Sequence, residues 1–322
     1  MSTALAGSTR NQYHSQYKVY KRFCVRYSLQ PFPLVERILI LFCTYLATRF
    51  QSPVSYNTIK GYLAAIRYFS ITKGFSVSFH TMDQLYYTLR GIKRYQGERH
   101  NVPKRSPITT HHLVIMHTHL FSPYFPLYEA RLYWSASTLA FFGLLRVSEY
   151  TTPKIHVFDK ACHLLLKDIT FSRDAVHVHI KASKCDPFRQ GCTITIGQTN
   201  NILCPVLALK QYLLVRNKKP GPLFTFQDGS YLTRHRVVQM LRRCFTDVNL
   251  NTHSFRIGGA SALAAAGVSD AQIQTIGRWR SNCFVRYLRI SSTSILPLAT
   301  AMSEAAVDDI CWTPRFNKLS LN

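Results

Sequence analysis

The sequence predicts a mainly α-helical protein with one small antiparallel β-sheet, an α+β chain of two domains, and three observations carry that prediction. Apolar residues recur at helical spacing through the first hundred residues and again beyond residue 200. Strict alternation of apolar and polar residues is confined to the middle, at Val176-His177-Val178-His179-Ile180 and again at Cys192 to Ile196. With 322 residues, 47% of them hydrophobic, the chain has room for two packed domains and is too apolar to be disordered.

Residues 1–98 read as four helices separated by clear breaks. From Gln12 to Tyr27, Tyr, Val and Phe alternate with Lys18, Lys21, Arg22 and Arg26, which makes an amphipathic helix with a basic face. Pro31 and Pro33 interrupt the chain before a more buried helix over Leu34 to Arg49. Ser55 or Asn57 can cap the next, which runs through Ile59, Leu63, Ile66 and Phe69 with Lys60 and Arg67 outward. A fourth runs from about Met82 to Gln96. Residues 99–107 are polar and basic and hold two prolines, so they read as a linker.

The second domain is expected over residues 108–300. Thr109 or Thr110 caps a helix to Leu120, and Tyr128 to Leu145 forms a long apolar one. Leu164 to Phe171, Val176 to Ile180 and Cys192 to Ile196 are the three strands. Pro205 suits the first position of a helix that reaches Arg216, and Thr233 opens another through Phe245. A further helix starts near Thr252 and stops at Gly267, whose missing side chain permits a left-handed turn. Ser269 and Gln272 have capping-box spacing for a short helix that Gly277 ends, and Tyr287 falls on a third short helix. A last helix is expected beyond Ser291, followed by a tail over residues 301–322.

Charge narrows the partners. Lys and Arg number 40 against 15 Asp and Glu, a formal charge of +25 with a pI of about 10.0. Up to Pro107 the count is sixteen against three, so a third of the chain carries half the excess. Double-stranded DNA is the natural polyanion for a basic helical module. The expected contacts are Lys21, Arg22, Lys60, Arg67, Lys104, Arg105 and Arg278. A membrane is a poor alternative, because the most apolar stretch, ERILILFCTYLATRF, is short and flanked by charge. No signal-peptide core is seen in MSTALAGSTRNQ. The nine cysteines show no Cys-x-x-Cys, and neither Cys185, Cys192 and Cys204 nor the histidines at 111, 112, 117 and 119 have metal-site spacing. No metal and no cofactor is expected.

The chemistry concentrates in NTHSFRIGGASALAAAGVSDAQIQTIGRWRSNCFVRYLR, from Asn251 to Arg289. His253 and Arg256, three apart, share a helix face and can reach one anion. Gly258, Gly259, Ala260 and Ser261 are small enough to let this helix press its backbone against a neighbour. Upstream, Arg146 ends a buried run, where a guanidinium needs an anionic partner that Glu149 can supply.

His-Ser-Phe-Arg-x-Gly-Gly-Ala-Ser, Gly277-Arg278-Trp279 and Tyr287-Leu288-Arg289 resemble the tyrosine recombinase (phage integrase) family, and the Gly-Arg-Trp form looks most like the enzymes of Crypton- and DIRS-type mobile elements. Leu-Leu-Arg146-x-Ser-Glu149 resembles the first catalytic arginine of that family with its supporting acid. Ser183-Lys184-Cys185-Asp186 is similar to its hairpin lysine motif, with Lys181 as the alternative lysine. The resemblance implies a helical core-binding domain followed by a catalytic domain, acting as a tetramer on DNA. Arg146 and Arg256 then clamp the scissile phosphate with planar forks that suit its oxygens. His253 hydrogen-bonds or exchanges a proton, Tyr287 attacks to give a 3′-phosphotyrosine, and Lys184 protonates the departing 5′ oxygen. Trp279 is expected to pack on the phosphate, although an ungapped register puts Arg278 there. Neither metal nor ATP is needed, and fifteen acids without an evident triad disfavour a two-metal nuclease. The competing readings are a DNA-binding derivative that no longer cuts and a type IB topoisomerase. A nuclear location follows if the host is a eukaryote, as the mobile-element resemblance suggests, and a cytoplasmic one otherwise.

Overall fold

The computed structural model describes residues 4–49, 52–99, 105–183, 186, 188–216 and 220–289. The chain divides into two compact units, residues 1–103 and 104–322. The expected last helix and the 301–322 tail lie outside the described residues, as do residues 100–104 of the expected linker.

The described residues of the first unit form four α-helices, α1 (Gly7–Arg26), α2 (Glu36–Thr48), α3 (Tyr56–Thr72) and α4 (Asp83–Arg99). Their apolar stripes make one core: Leu39, Phe42, Cys43 and Leu46 from α2 meet Ile59, Leu63 and Ile66 from α3, with Tyr20, Phe23 and Cys24 from α1 and Leu85 and Ile92 from α4. These are the intervals of three and four that keep side chains on one helical face. Polar side chains close the helix ends. Ser55 caps α3 by accepting from the Thr58 amide, and Glu36 accepts from the Leu85 amide in the first turn of α4 at 2.8 Å. Gln96 ties α4 to the start of α3, accepting from the Tyr56 amide at 2.6 Å and donating to the Val54 carbonyl at 2.8 Å. Lys21, Arg22, Lys60 and Arg67 are all exposed.

The second unit is built on α6 (Leu127–Phe142), whose residues from Leu132 to Phe141 are all buried. Around it stand α5 (Thr110–Leu120), the single turn α7 (Val147–Tyr150), α8 (Pro205–Val215), α9 (Arg234–Cys244), α10 (Ser254–Ala265) and α11 (Asp270–Ile276), then a 3₁₀ turn over Asn282–Arg286. Three antiparallel strands, β1 (Ile169–Phe171), β2 (Ala175–Ile180) and β3 (Cys192–Gly197), lie in the order β1-β2-β3, with Ile169 opposite Val178 and Val178 opposite Ile194. Val176, Val178, Ile180 and Ile196 point inward to the core that includes Leu132, Leu139 and Phe141.

Three expectations are corrected. The strand expected over residues 164–171 joins the sheet only from Ile169, because Asp168 accepts from the Leu165 amide at 2.8 Å and curls residues 166–168 into a 3₁₀ turn. The helix expected to reach Leu145 ends at Phe142: Leu144 takes φ +45°, its amide returns to Phe141 and that of Leu145 to Ala140. That wrap is a Schellman ending with leucine where glycine is usual. Finally, Tyr287 follows a 3₁₀ turn rather than lying on an α-helix.

Candidate active site

The site forms where two helix ends meet the start of a third. α10 approaches closely because Gly258 and Gly259 carry no side chain. A Cβ on Gly258 would stand 1.6 Å from the Ile108 carbonyl oxygen, and one on Gly259 would stand 2.3 Å from that of Phe141. Glycine here serves close backbone approach. Asn251 prepares the helix start by accepting from the His253 amide at 2.9 Å, and the Ser254 hydroxyl accepts from the Asn251 amide at 3.0 Å.

α11 ends as α6 does. The Arg278 amide donates to Thr275, that of Trp279 to Gln274, and Arg278 takes φ +57°. Gly277, the expected stop, is the C-cap of α11 at φ −77°, and the left-handed position one residue on belongs to an arginine. A Cβ at Gly277 would fall 1.7 Å from the Trp279 ring, so this glycine makes room for the indole. Gly267, in contrast, takes the expected left-handed turn after α10, at φ +76°.

Two arginines fill the space between these helix ends. Arg256 is fully buried and donates from Nη1 to the Leu144 carbonyl and from Nη2 to the Gly277 carbonyl. Its Nε is buried with no hydrogen-bond partner, and the Trp279 ring covers its guanidinium, with Cζ 4.2 Å from the ring centroid. Arg278 donates from Nη1 to Gly143 and from Nη2 to Leu144, both at 3.2 Å, and its Nη2 pairs with Glu149 Oε2 at 2.9 Å. Cations at helix C-termini satisfy carbonyls that the helices themselves cannot.

Glu149, 3% exposed, therefore has two partners. Its Oε1 accepts from Arg146 Nη1 at 3.1 Å, and its Oε2 accepts from both the Arg146 amide at 2.8 Å and Arg278. Arg146 Nη1 also donates to the Ser183 hydroxyl at 2.7 Å. Burial, then Arg146 and Arg278, pull the Arg256 pKa down to about 9, which leaves it protonated at neutral pH.

Tyr287 stands beside this cluster. Its ring meets His253 edge-on with centroids 5.0 Å apart and tilts against Trp279 at 5.2 Å, while Arg256 Cζ lies 5.9 Å from its centroid. Ser261 fixes the backbone here by donating to the Tyr287 carbonyl at 3.1 Å and accepting from the Arg289 amide at 3.0 Å. Burial is the main cause that holds the His253 pKa down at about 4, helped by Arg105, Arg256, Arg146 and Arg234. His253 is thus neutral at physiological pH.

Of the residues singled out in the sequence, Arg146, Glu149, His253, Arg256, Arg278, Trp279 and Tyr287 come together. Lys184 and Lys104 lie outside the described residues. The alternative lysine, Lys181, is engaged elsewhere, 2.6 Å from Asp168 Oδ2 and 2.8 Å from the Lys160 carbonyl. Arg278, expected at DNA, turns instead onto Glu149. Ser183, Ser261 and the Gly143 and Leu144 carbonyls were not expected as partners. Ser183 and Ser261 stand inside the quoted motifs, but nothing in their local spacing reveals what they bond. Among the described residues no group of three or more His, Cys, Asp or Glu is placed to hold a metal ion, and no helix is long and apolar enough to cross a membrane.

No family model matches the chain, and no curated protein sequence matches it either. Solved structures do. The Tn1549 transposon integrase in complex with transposon right-end DNA superposes with a TM-score of 0.64 at 13% identity, over 93% of this chain and 95% of that one. The same integrase with circular-intermediate DNA gives 0.60 at 14%, over 94% of both chains. The XerH site-specific recombinase in a post-cleavage complex with palindromic difH substrate gives 0.60 at 13%, over 91% of this chain and 80% of that one. The chain therefore carries the tyrosine recombinase fold, a helical domain followed by a mainly α domain with a three-stranded antiparallel sheet.

Proposed function

We propose that this protein is a site-specific tyrosine recombinase that cuts and rejoins double-stranded DNA through a 3′-phosphotyrosine intermediate. The observation that carries the reading is the convergence of Tyr287 and His253 on a cluster of arginines that has one carboxylate among them. A phosphodiester gains negative charge as it becomes a pentavalent phosphorane, and fixed guanidiniums stabilise that gain. A phenol is largely protonated at neutral pH, so attack also requires a proton acceptor. His253 is neutral and at the edge of the Tyr287 ring, which suits it to that part. The Tyr287 oxygen then bonds to phosphorus, the bond to the 5′ oxygen breaks, and that oxygen takes a proton; Lys184 is the residue assigned to give it. Reversal on a second strand conserves the ester, so the cycle consumes no nucleotide.

Arg256 sets a condition on this scheme. It is fully buried, with the Trp279 ring over its guanidinium and both Nη atoms on carbonyls, so direct contact with a phosphate requires this packing to open. If it never does, the protein binds DNA without cutting it, and that second reading gains. The neighbours bound to transposon DNA support a substrate of mobile-element ends; assembly as a tetramer on DNA and a nuclear location in a eukaryotic host are proposed on the sequence resemblance alone. A nicked duplex carrying sequence that flanks the gene, incubated in EDTA, tests the reading. A denaturing gel shows a covalent protein–DNA adduct with the wild type and none with Tyr287→Phe; DNA bound tightly by both without an adduct favours the binding protein.

A further inference from the structure

We propose that Arg278 is a positioning residue for strand cleavage, one that divides the Glu149 charge with Arg146 and locks the C-terminal ends of α6 and α11 together. The inference rests on the recombinase reading above. Four observations support it. Arg278 occupies a left-handed position that strains any residue with a Cβ, and Leu144 opposite does the same at the end of α6. The two strained turns are joined through arginine: Arg278 donates to Gly143 and Leu144, Arg256 to Leu144 and Gly277. The Arg278 side chain is only 12% exposed, which leaves little of it for DNA. Glu149 is more deeply buried still, at 1% of its side chain, and a buried carboxylate keeps its charge only with charged partners.

Without Arg278, that carboxylate would draw on Arg146 alone, and the guanidinium assigned to the phosphate would be held more tightly in place. With it, two arginines pair with one carboxylate and Arg256 stands beside them, so the cluster keeps an excess of positive charge to oppose the negative charge of a pentavalent phosphorane. Lysine cannot substitute fully. Arg278 meets Gly143, Leu144, Ile276 and Glu149 with two different nitrogens, and a single ammonium does not span them.

The test is a double-mutant cycle on the full chain, with Arg278→Ala, Glu149→Gln and the pair together, and Arg278→Lys as the conservative variant. DNA affinity, single-turnover adduct formation at saturating nicked duplex and thermal midpoint are each measured. Arg278→Ala is expected to bind DNA as the wild type does and to form adduct at least about tenfold more slowly. Adding Glu149→Gln should restore most of the rate, because it removes the unbalanced charge, and Arg278→Lys should restore part. Weakened DNA affinity with an unchanged rate would make Arg278 a DNA contact and overturn the proposal, and so would a rate that Glu149→Gln leaves low. If the wild type forms no adduct, the recombinase reading fails and the role in cleavage fails with it. The thermal cycle then stands apart: non-additive midpoints uphold the Glu149–Arg278 lock, and additive ones remove that too.

Discussion

His253 shows how surroundings set the chemistry of one residue. Its folded pKa of about 4 lies below the ordinary value near 6.5, so as the pH falls the unfolded chain takes up the proton first. The stability that neutral His253 contributes is complete above about pH 6.5 and is lost as the pH falls from there toward 4. Thermal midpoints at pH 7.5 and pH 5 should therefore differ more for the wild type than for His253→Gln; equal differences would mean that another group sets the acid sensitivity. In the proposed reaction, His253→Ala should slow adduct formation by roughly a hundredfold or more, in line with loss of a proton acceptor. The identities of Arg146, Glu149, His253, Arg256, Trp279 and Tyr287 were legible because they stand in short ordered motifs. What each one touches was not. That Trp279 covers Arg256, and that Arg278 reaches Glu149 across more than a hundred residues of sequence, depends on two helix ends meeting in space.

Local chemistry makes several elements readable from the sequence. The cap at Ser269 and the stop at Gly267 act within one helical turn and are where the sequence puts them, and the caps at Ser55 and Thr109 are each one of the two candidates it offers. Elements governed by distant partners are read less well. β1 is short because Asp168 bonds back to Leu165 and on to Lys181, and α6 ends early at a leucine that ordinary preference would replace by glycine. The pair Gly258-Gly259 was expected to permit close packing, and the backbone of Ile108 and the end of α6 are what it packs on. Gly258→Ala should destabilise the second unit by about 3 kcal/mol, the upper range for overpacking, since backbone rather than a flexible side chain stands in the way. For a domain of this size that lowers the thermal midpoint by roughly 6–12 °C. A midpoint within a degree of the wild type would show that α10 can move away from Ile108 without cost.

At the scale of the whole molecule, the +25 charge is the plainest property of the sequence and half of it lies in the first third. On the helical module, Lys60 and Arg67 are a heptad apart on α3 and both exposed, as are Lys21 and Arg22 on α1. Each lysine or arginine that neutralises a DNA phosphate adds about 0.9 to the slope of log affinity against log salt. Lys60→Glu with Arg67→Glu should weaken DNA binding and lower that slope by about 2, while the rate of adduct formation on saturating DNA stays as it was. An unchanged slope would exclude these two side chains from the interface. The fold class and its order of elements were legible from periodicity and from the one alternating segment, because those patterns record which faces are buried. The assignment of Tyr287 as the nucleophile is tested most directly by mass spectrometry of peptides from an adduct trapped on a nicked duplex. The expected product is a nucleotide joined through its 3′-phosphate to the peptide containing Tyr287, with a free 5′-hydroxyl on the released strand. A nucleotide on any other residue, or a 5′-phosphate linkage, would contradict that assignment.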